Sequence, residues 1–390
     1  MISTRLFIRL SCVLLSLLAG FSVRAQAPSV DMQWTNDFAN EVRAEAKKRN
    51  IPGFVFVVVE RGKPAKFYTF GKTEKRGEAI STNTKFRLAS VSKTFTATLI
   101  ATESPIATTM GWQTPVSEIT PEYNFDKYPQ KPLLLRHIVG QSTGFMPNAY
   151  DNLIEANYQR KRVLKEFQAL EPLCEPGYCY TYQNALFGVI EEHYAQRNTS
   201  YAKQLQARLF EPLGLEASVG RNALESASSW AKPHAAIARN RWAKVKVKDD
   251  YYRFSPAAGI NASAKDMEIW IRAMLLEYPD VVSEDMVTEM TLPRVQTKNE
   301  LRRRGWRQHL NSAHYGLGWR VYNFKDIQLN YHGGWVQGYR ADVSFAPELG
   351  IGYAFLMNAE SNLINQVTAD FWANVVNAYE ARLAAQSTRN

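Results

Sequence analysis

The chain has 390 residues, a formal net charge of +10 and 45% hydrophobic residues. A chain of this length is expected to form about two domains, or one large domain, at the usual size of ~150 residues per domain. The basic residues concentrate in two short runs, 239–248 and 302–307, and neither run matches a nucleic-acid-binding module. We therefore expect solvated surfaces or contact with an anionic envelope, and we expect no nucleic-acid partner.

The first 27 residues have the pattern of a secretory signal peptide. Arg5 and Arg9 form a basic start, residues 10–21 form an apolar core, and an Ala-Gln-Ala cleavage site ends at Ala27. The apolar core is short and interrupted, and no later stretch approaches the ~18 apolar residues of a membrane-spanning helix. The sequence thus predicts an exported, periplasmic protein with no stable membrane span, in which residues 28–390 form a single domain.

The order of predicted elements indicates the fold class. A β-hairpin is predicted at 54–60 and 65–71, and helical spacing follows at 133–139, 153–170 and 186–193. Strand-like runs return at 318–323, 327–332, 341–346 and 352–357, and a helix at 363–383 closes the chain. This order predicts an α/β fold of the α+β type with a central, mostly antiparallel sheet flanked by helices. The sheet region is placed at about 28–94 and 236–390, with an all-helical region inserted at about 95–235.

Ser90 and Lys93 stand three residues apart where a loop runs into a predicted helix beginning at about Ser90. This spacing places the hydroxyl and the amine one turn apart on the same face. A serine nucleophile needs a nearby base, and the N–H groups at a helix N-terminus stabilise developing negative charge. The pattern suits acyl transfer, although a helix cap beside a solvated lysine is the commoner meaning of an isolated Ser-x-x-Lys match.

A rival nucleophile, Ser142, lies in the G-x-S-x-G match at 140–144. A nucleophile elbow of this type requires a strand before the serine and a helix directly after it. Here the preceding residues have helical spacing and Pro147 prevents a following helix. We therefore predict that Ser142 lies in a loop between helices.

A second polar cluster contains Tyr182 and Asn184. Tyr182 would serve as a base if neighbouring cations favour its phenolate or if it shares a proton with an amine. The Asn184 amide can donate to a substrate carbonyl and accept from a lysine. Just upstream, Cys174 and Cys179 flank a Pro-Gly turn, and the sequence leaves open whether they form a disulfide or remain thiols.

A third cluster, His332, Gly333 and Gly334, is placed where a predicted strand ends. Glycine lets a backbone approach a ligand closely, and an edge strand can pair with an extended substrate. His332 would orient a substrate or assist proton transfer, and the alternative is a hydrogen-bonded strand histidine without a catalytic role.

Taken together and in this order, the three clusters resemble the serine hydrolases that comprise class C β-lactamases, D-alanyl-D-alanine carboxypeptidases and related esterases. Five further segments add to the resemblance, at 135–138, 142–144, 210–215, 231–234 and 315–319. The resemblance implies a cleft between the sheet and the helical region. It also implies a loop at 140–144.

The resemblance also implies roles for individual residues. Ser90 would attack a carbonyl to form an acyl-enzyme, and Lys93 and Tyr182 would transfer the proton. The backbone N–H groups of Ser90 and Trp335 would form the oxyanion hole. Asn184 and the third cluster, His332, Gly333 and Gly334, would bind the substrate. No metal or organic cofactor is required.

Two departures from the family pattern bear on the substrate. His332 stands where strict β-lactamases have the lysine of Lys-Thr-Gly, so we hypothesise that Arg340 supplies the charge for a substrate carboxylate. The segment 103–110 interrupts the long helix that usually follows the Ser-x-x-Lys motif, which predicts a short first helix.

The sequence therefore predicts a monomeric serine hydrolase that opens a β-lactam or a D-Ala-D-Ala-like amide. A carboxylesterase with the same nucleophile is one alternative. A penicillin-binding envelope protein with little turnover is another. The predicted partner is a small-molecule or peptide substrate: a β-lactam, a cell-wall peptide or an ester.

Overall fold

The computed structural model describes residues 30–103, 110–128 and 130–388. Within these residues the strands are β1 Gly53–Glu60, β2 Lys66–Gly71, β3 Phe86–Arg87, β4 Ser218–Val219, β5 His234–Ala238, β6 Arg241–Lys244, β7 Ile260–Ala262, β8 Val295–Gln296, β9 Leu310–Tyr315, β10 Arg320–Phe324, β11 Ile327–Val336, β12 Tyr339–Ala346 and β13 Ile351–Met357. The helices of the same residues are α1 Thr35–Lys48, α2 Ser92–Glu103, α3 Val116–Ile119, α4 Leu135–Val139, α5 Asp151–Glu155, α6 Arg160–Glu166, α7 Gly188–Gln196, α8 Tyr201–Leu205, α9 Glu211–Leu213, α10 Arg221–Glu225, α11 Ser255–Ala258, α12 Ala264–Met274, α13 Glu284–Met290 and α14 Leu363–Ser387.

The main sheet has the strand order β2-β1-β13-β12-β11-β10-β9-β8. Each neighbouring pair in it is antiparallel. The hairpin β1–β2 therefore adds to the sheet through β13, so strands from the two ends of the chain lie side by side. The predicted α/β fold with a mostly antiparallel sheet is confirmed.

Strand β1 shows why the sheet is covered on both faces. Its residues are almost all apolar and buried, and alternate side chains point to opposite faces of a strand. Val55, Val57 and Val59 belong to the core that contains helices α2 and α12. Phe54 and Phe56 belong to a second core that contains α1 and α14. The sheet is thus the middle layer of three.

Helix α2 lies in the interior of the first core. Nearly every one of its residues is buried, and the Phe95 ring stacks on Trp270 of α12 with 3.8 Å between ring centroids. A helix that is enclosed on all sides has no solvent-facing stripe. Any ionisable side chain near its start, such as Lys93, is therefore forced into a desolvated environment.

Three predicted boundaries are wrong. Helix α2 begins at Ser92 rather than Ser90, because a 3₁₀ turn, Ala89–Val91, precedes it. The helix predicted at 153–170 is divided, because α5 ends near Asn157, whose φ of 65° is left-handed. Strand β11 continues through the two glycines to Val336 instead of ending at them.

In the stretch predicted as all-helical, 95–235, the regular elements of the described part are mainly helices. It also contains the short strand β4, which pairs with β7 in a three-stranded sheet, β3-β7-β4. The predicted signal peptide at 1–27 and residues 104–109 of the interrupting segment lie outside the described residues. Among the described helices, we find no candidate for a membrane span.

Candidate active site

The turn that carries Ser90 is fixed from both sides. Strand β3 ends at Arg87, and the Leu88 N–H donates to the Ile260 carbonyl at 2.9 Å. Ala89 then adopts a left-handed φ of 50°, an uncommon conformation for a residue with a Cβ. The turn leads directly into α2, and the Lys93 Nζ lies 3.2 Å from the Ser90 Oγ. The predicted pairing of hydroxyl and amine is present.

Lys93 is fully buried and surrounded by acceptors. Its Nζ lies 2.7 Å from the Asn184 Oδ1 and 3.0 Å from the Ala257 carbonyl oxygen. Burial lowers the pKa of Lys93 to about 7. A neutral amine keeps two N–H bonds for Asn184 and Ala257 and directs its lone pair to the Ser90 hydroxyl. The geometry therefore suits Lys93 as the base that activates Ser90.

Tyr182 closes the other side of the nucleophile. Its side chain hydrogen-bonds to Ser90, and its ring centroid lies 4.9 Å from the Lys93 Nζ. Burial raises the pKa of Tyr182 to about 12, and this outweighs the opposite effect of the Arg320 charge. Tyr182 is thus a neutral phenol at rest, which favours the second of the two possibilities, a proton shared with a neighbouring amine, over the phenolate.

The face of β11 that carries Gly334 touches the Ser90 turn. A Cβ on Gly334 would overlap the Leu88 carbonyl oxygen and lie 3.2 Å from the Ala89 Cβ, so this contact requires glycine. His332 lies two residues earlier on the same face of the strand. Gly333 lies on the opposite face, where a Cβ would be 2.9 Å from the Asp342 Oδ1.

His332 is held as a neutral ring. Its Nδ1 lies 3.0 Å from the Gly333 carbonyl oxygen, so Nδ1–H donates and Nε2 accepts from the Tyr315 hydroxyl at 2.9 Å. Burial, together with the Arg320 and Lys93 charges, moves the pKa of His332 well below its usual range. An uncharged His332 does not supply the positive charge that a lysine would have at this position.

Strand β11 is longer than its neighbour β10, so the last N–H groups on that edge of β11 have no partner in β10. Lys325 and Asp326, with φ of 47° and 67°, form the two-residue turn that closes the Phe324–Ile327 pair. Odd-numbered residues of β11 therefore direct their N–H groups toward β10. Pairing with β10 ends at Tyr331, so the N–H groups of Gly333 and Trp335 lie beyond it. The Trp335 N–H therefore points to the side of β11 that β10 leaves open, and its role as an oxyanion donor stays a prediction.

Arg340 does not face the cleft, and the structure gives no support to its predicted role. It pairs with Trp335 across β11 and β12, and its guanidinium donates to the Asn365 Oδ1 at 3.1 Å. Asn365 belongs to α14, which covers the face of the sheet opposite the Ser90 turn. The physical reason is strand alternation, which puts Arg340 on the same side as Asp342.

Sequence reasoning missed a cation that lies beside Tyr182, Arg320 of β10. Its guanidinium donates to the Glu300 Oε1 at 2.8 Å and to the Tyr180 side chain, and it lies 5.8 Å from the Tyr182 ring centroid. The sequence signal was one charged residue within a strand of apolar and aromatic residues. That signal does not reveal which face the residue occupies.

A second residue that sequence reasoning missed is Asp151, at the start of α5. Its Oδ2 accepts a hydrogen bond from the Asn184 Nδ2 at 2.8 Å. Asn184 thus lies between Lys93 and Asp151. The sequence offered no signal for this contact, because aspartate at a helix start is common for local reasons alone.

Ser142 lies in a turn after α4, as predicted. Its N–H donates to the His137 carbonyl, and its own carbonyl accepts from Gly177 at 2.7 Å. Gly177 belongs to the loop closed by a disulfide between Cys174 and Cys179, which decides the question that the sequence left open. This loop leads directly into the segment that carries Tyr182.

The geometry agrees with a comparison against known families. The family model described as "Beta-lactamase" matches residues 38–376. The chain belongs to the β-lactamase family. It is 28% identical over 195 residues to a β-lactamase of Yersinia enterocolitica, a match that covers 49% of this chain and 48% of that protein. Against five curated relatives, the chain spans between 46% and 61% of their length.

Two solved structures have a fold similar to that of this chain. The octameric penicillin-binding protein homologue from Pyrococcus abyssi has a TM-score of 0.75 at 17% identity, covering 88% of this chain and 77% of that one. D-amino acid amidase from Ochrobactrum anthropi has a TM-score of 0.69 at 17% identity, covering 89% and 99%. Similarity to an octameric protein gives no support to the predicted monomer.

Proposed function

We propose that the chain is an exported serine hydrolase that cleaves a small amide of the β-lactam or D-alanyl-D-alanine type through a Ser90 acyl-enzyme. The observation that carries the proposal is the contact between the Ser90 hydroxyl and the Lys93 amine. A half-buried serine hydroxyl lies 3.2 Å from an amine whose burial lowers its pKa to about 7. Such an amine is substantially neutral at physiological pH and can take up the serine proton.

In the proposed acylation, Lys93 accepts the Ser90 proton while Oγ attacks the substrate carbonyl carbon. The resulting oxyanion accepts hydrogen bonds from the N–H groups of Ser90 and Trp335. When the carbonyl–nitrogen bond breaks, the Tyr182 hydroxyl protonates the leaving amine, and the Lys93 ammonium returns a proton to Tyr182. Water then attacks the ester and restores Ser90 by the reverse transfers.

The amide preference is supported by the relatives, because their names refer to a β-lactamase, a penicillin-binding homologue and a D-amino acid amidase. A carboxylesterase is the second candidate, and a specific observation favours it. His332 is uncharged, Arg340 lies on the far face of the sheet, and the Arg320 guanidinium is engaged by Glu300. A substrate without a carboxylate would not need a free cation in this cleft.

A single panel of reactions tests the proposal. The protein is incubated with a fluorescent penicillin, a D-amino acid amide and a p-nitrophenyl ester, and the labelled peptide is mapped by mass spectrometry. Rapid loss of the β-lactam or amide supports the amide hydrolase, and turnover of the ester alone supports the esterase. A stable penicilloyl adduct without turnover indicates a penicillin-binding protein.

The site assignment has its own test within that panel. Ser90→Ala should abolish labelling and turnover, because it removes the nucleophilic oxygen. Ser142→Ala is the matched control, since it removes a hydroxyl from the rival motif, and it should leave both intact. The opposite pattern would overturn the assignment of Ser90.

Export and domain organisation belong to the same proposal. We propose that residues 1–27 are removed and that 28–390 act as one catalytic domain in the periplasm. The Cys174–Cys179 disulfide supports an oxidising compartment, since such bonds persist there. N-terminal sequencing of the protein from a periplasmic extract tests this, and a first residue other than Pro28 would contradict the cleavage site.

A further inference from the structure

Asp151 lies next to the proposed catalytic residues although it belongs to none of the motifs. Tyr150 before it has a left-handed φ of 61°, which turns the chain into α5. The Asn148 N–H donates to the Tyr182 carbonyl at 2.7 Å. The loop that carries Asp151 is therefore tied to the segment that carries Tyr182 and Asn184.

The carboxylate of Asp151 fixes the orientation of a neighbouring amide. The two ends of an asparagine amide have similar shapes but opposite hydrogen-bonding character. Burial raises the pKa of Asp151 to about 6, so above that pH the carboxylate is ionised and only accepts. It then selects the Asn184 Nδ2 at 2.8 Å and leaves Oδ1 facing the Lys93 Nζ at 2.7 Å. With the reverse orientation, two N–H donors would face the Lys93 amine.

The Asp151 carboxylate is buried between two side chains, the Asn184 amide that donates to its Oδ2 and the Tyr251 hydroxyl on its other side. Burying a carboxylate is unfavourable unless specific contacts satisfy its oxygens, so these two neighbours hold it in place. Asn184 is the neighbour through which Asp151 can influence the chemistry.

We propose that Asp151 is a positioning residue: it holds the Asn184 amide oxygen on Lys93, and its negative charge controls how readily Lys93 releases the proton taken from Ser90. The inference rests on the proposed function only for its catalytic consequence. The effect on Lys93 itself can be measured without turnover.

The charges that face Lys93 set the direction of the effect. Asp151 raises the pKa of Lys93 and Arg320 of β10 lowers it, while Tyr182 and His332 are uncharged at rest. Removing the Asp151 charge leaves Arg320 unopposed. The pKa of Lys93 should then fall below about 7. Tyr251 and Glu155 face Asp151 from the other side.

The direct test follows the titration of Lys93 by NMR in protein labelled with [6-¹³C]lysine, with the signal assigned from Lys93→Arg. In Asp151→Asn the midpoint should move down by about 0.5 to 1 pH unit, the usual scale for losing a nearby charge. Asp280→Asn is the control, because it removes an exposed acidic charge that contacts neither Asp151 nor Asn184. It should leave the midpoint in place.

The activity arm compares kcat/KM across pH for the best substrate of the panel. In Asp151→Asn the plateau value of kcat/KM should be about ten-fold lower than in wild type, as expected for one misdirected hydrogen bond. The rise of kcat/KM on the acid side should occur at lower pH than in wild type. Asp151→Glu keeps the charge and should retain the wild-type limb. If Asp151→Asn does not fold, Asp151→Ser removes the same charge and serves the same test.

The two proposals fail in different ways. An unmoved Lys93 midpoint in the charge-removing variant would overturn the role of Asp151, whatever the activity. A shifted midpoint in a protein that hydrolyses no member of the panel would overturn the proposed function and leave the Asp151–Asn184–Lys93 coupling standing.

Discussion

Ser90 sits on a strained turn that neighbouring residues hold in place. A left-handed conformation costs a residue with a Cβ about 1 to 2 kcal/mol. Ala89 adopts it beneath Gly334, where a Cβ added to Gly334 would lie 3.2 Å from the Ala89 Cβ. The strain places the Ser90 Oγ beside Lys93 before any substrate arrives, so orientation is settled in the fold rather than at the moment of reaction.

The state of Lys93 leads to a pH prediction. Because Lys93 must be neutral to accept a proton and burial sets its pKa near 7, kcat/KM should rise with pH through about 7 and then level. Lys93→Arg should lower kcat/KM by at least roughly 100-fold at every pH, since arginine does not release its proton. The measurement is the pH profile of ester or amide hydrolysis.

The control for that profile is Lys203→Arg, an exposed site on α8 that should behave as wild type. A wild-type profile that is flat between pH 5 and 9 would contradict the assignment of Lys93 as the base.

At the scale of single elements, β11 decides the geometry of the cleft. Its two glycines divide their contacts between faces, with Gly334 against the Ser90 turn and Gly333 against Asp342. The strand thus approaches the nucleophile at a distance that side chains would prevent. Its open edge also presents the Trp335 N–H.

This division predicts different outcomes for two alanine substitutions. Gly334→Ala would push β11 away from the Leu88 carbonyl and separate the two oxyanion donors, so we expect kcat/KM to fall by about 100-fold. Gly333→Ala is the matched control, because its Cβ meets Tyr331 and Asp342 on the other face. It should lower the melting temperature with a smaller effect on kcat/KM. Equal losses of activity would contradict the geometry.

The elements also show how far the sequence can be read. Strand β1 is predictable from its run of β-branched and aromatic residues, and the Ser90–Lys93 pair from a spacing that needs only one turn. The predicted role of Arg340 has no support in the structure, because the face that a strand residue occupies depends on the register across the hairpin. Asp151 and Arg320 were missed because each reaches the site through contacts distant in sequence.

At the scale of the whole molecule, a three-layer arrangement buries ionisable groups on both faces of the sheet. On the face away from the cleft, Asp342 accepts from the Tyr331 hydroxyl at 3.0 Å and from the Thr368 hydroxyl at 2.8 Å. Burial raises the pKa of Asp342 to about 6 despite the nearby Arg303. The folded state therefore binds a proton at Asp342 more readily than the unfolded chain does.

This raised pKa makes stability depend on pH in a definite direction. A group whose pKa is raised by folding stabilises the protein at low pH, and the contribution disappears as pH rises through the folded value. Asparagine does not titrate. We therefore compare the free energy of unfolding of wild type with that of Asp342→Asn at each pH. The wild-type value minus the variant value should fall by on the order of 2 kcal/mol as the pH rises from 4 to 7.

Urea unfolding at several pH values across that window measures the difference. Asp280→Asn, at an exposed position, is the control and should run parallel to wild type. A difference between wild type and Asp342→Asn that stays constant with pH would show that Asp342 does not titrate in this range.

The side-by-side placement of β1 and β13 has a consequence for how the protein is made. Ser90 is synthesised early, but the strand that carries the Trp335 N–H is among the last, and the hairpin β1–β2 cannot join the sheet before β13 exists. Contacts between distant parts of a chain form slowly. Ser90 should therefore react only after the entire polypeptide has been completed and folded. A truncated chain or a folding intermediate should not react with an acylating reagent.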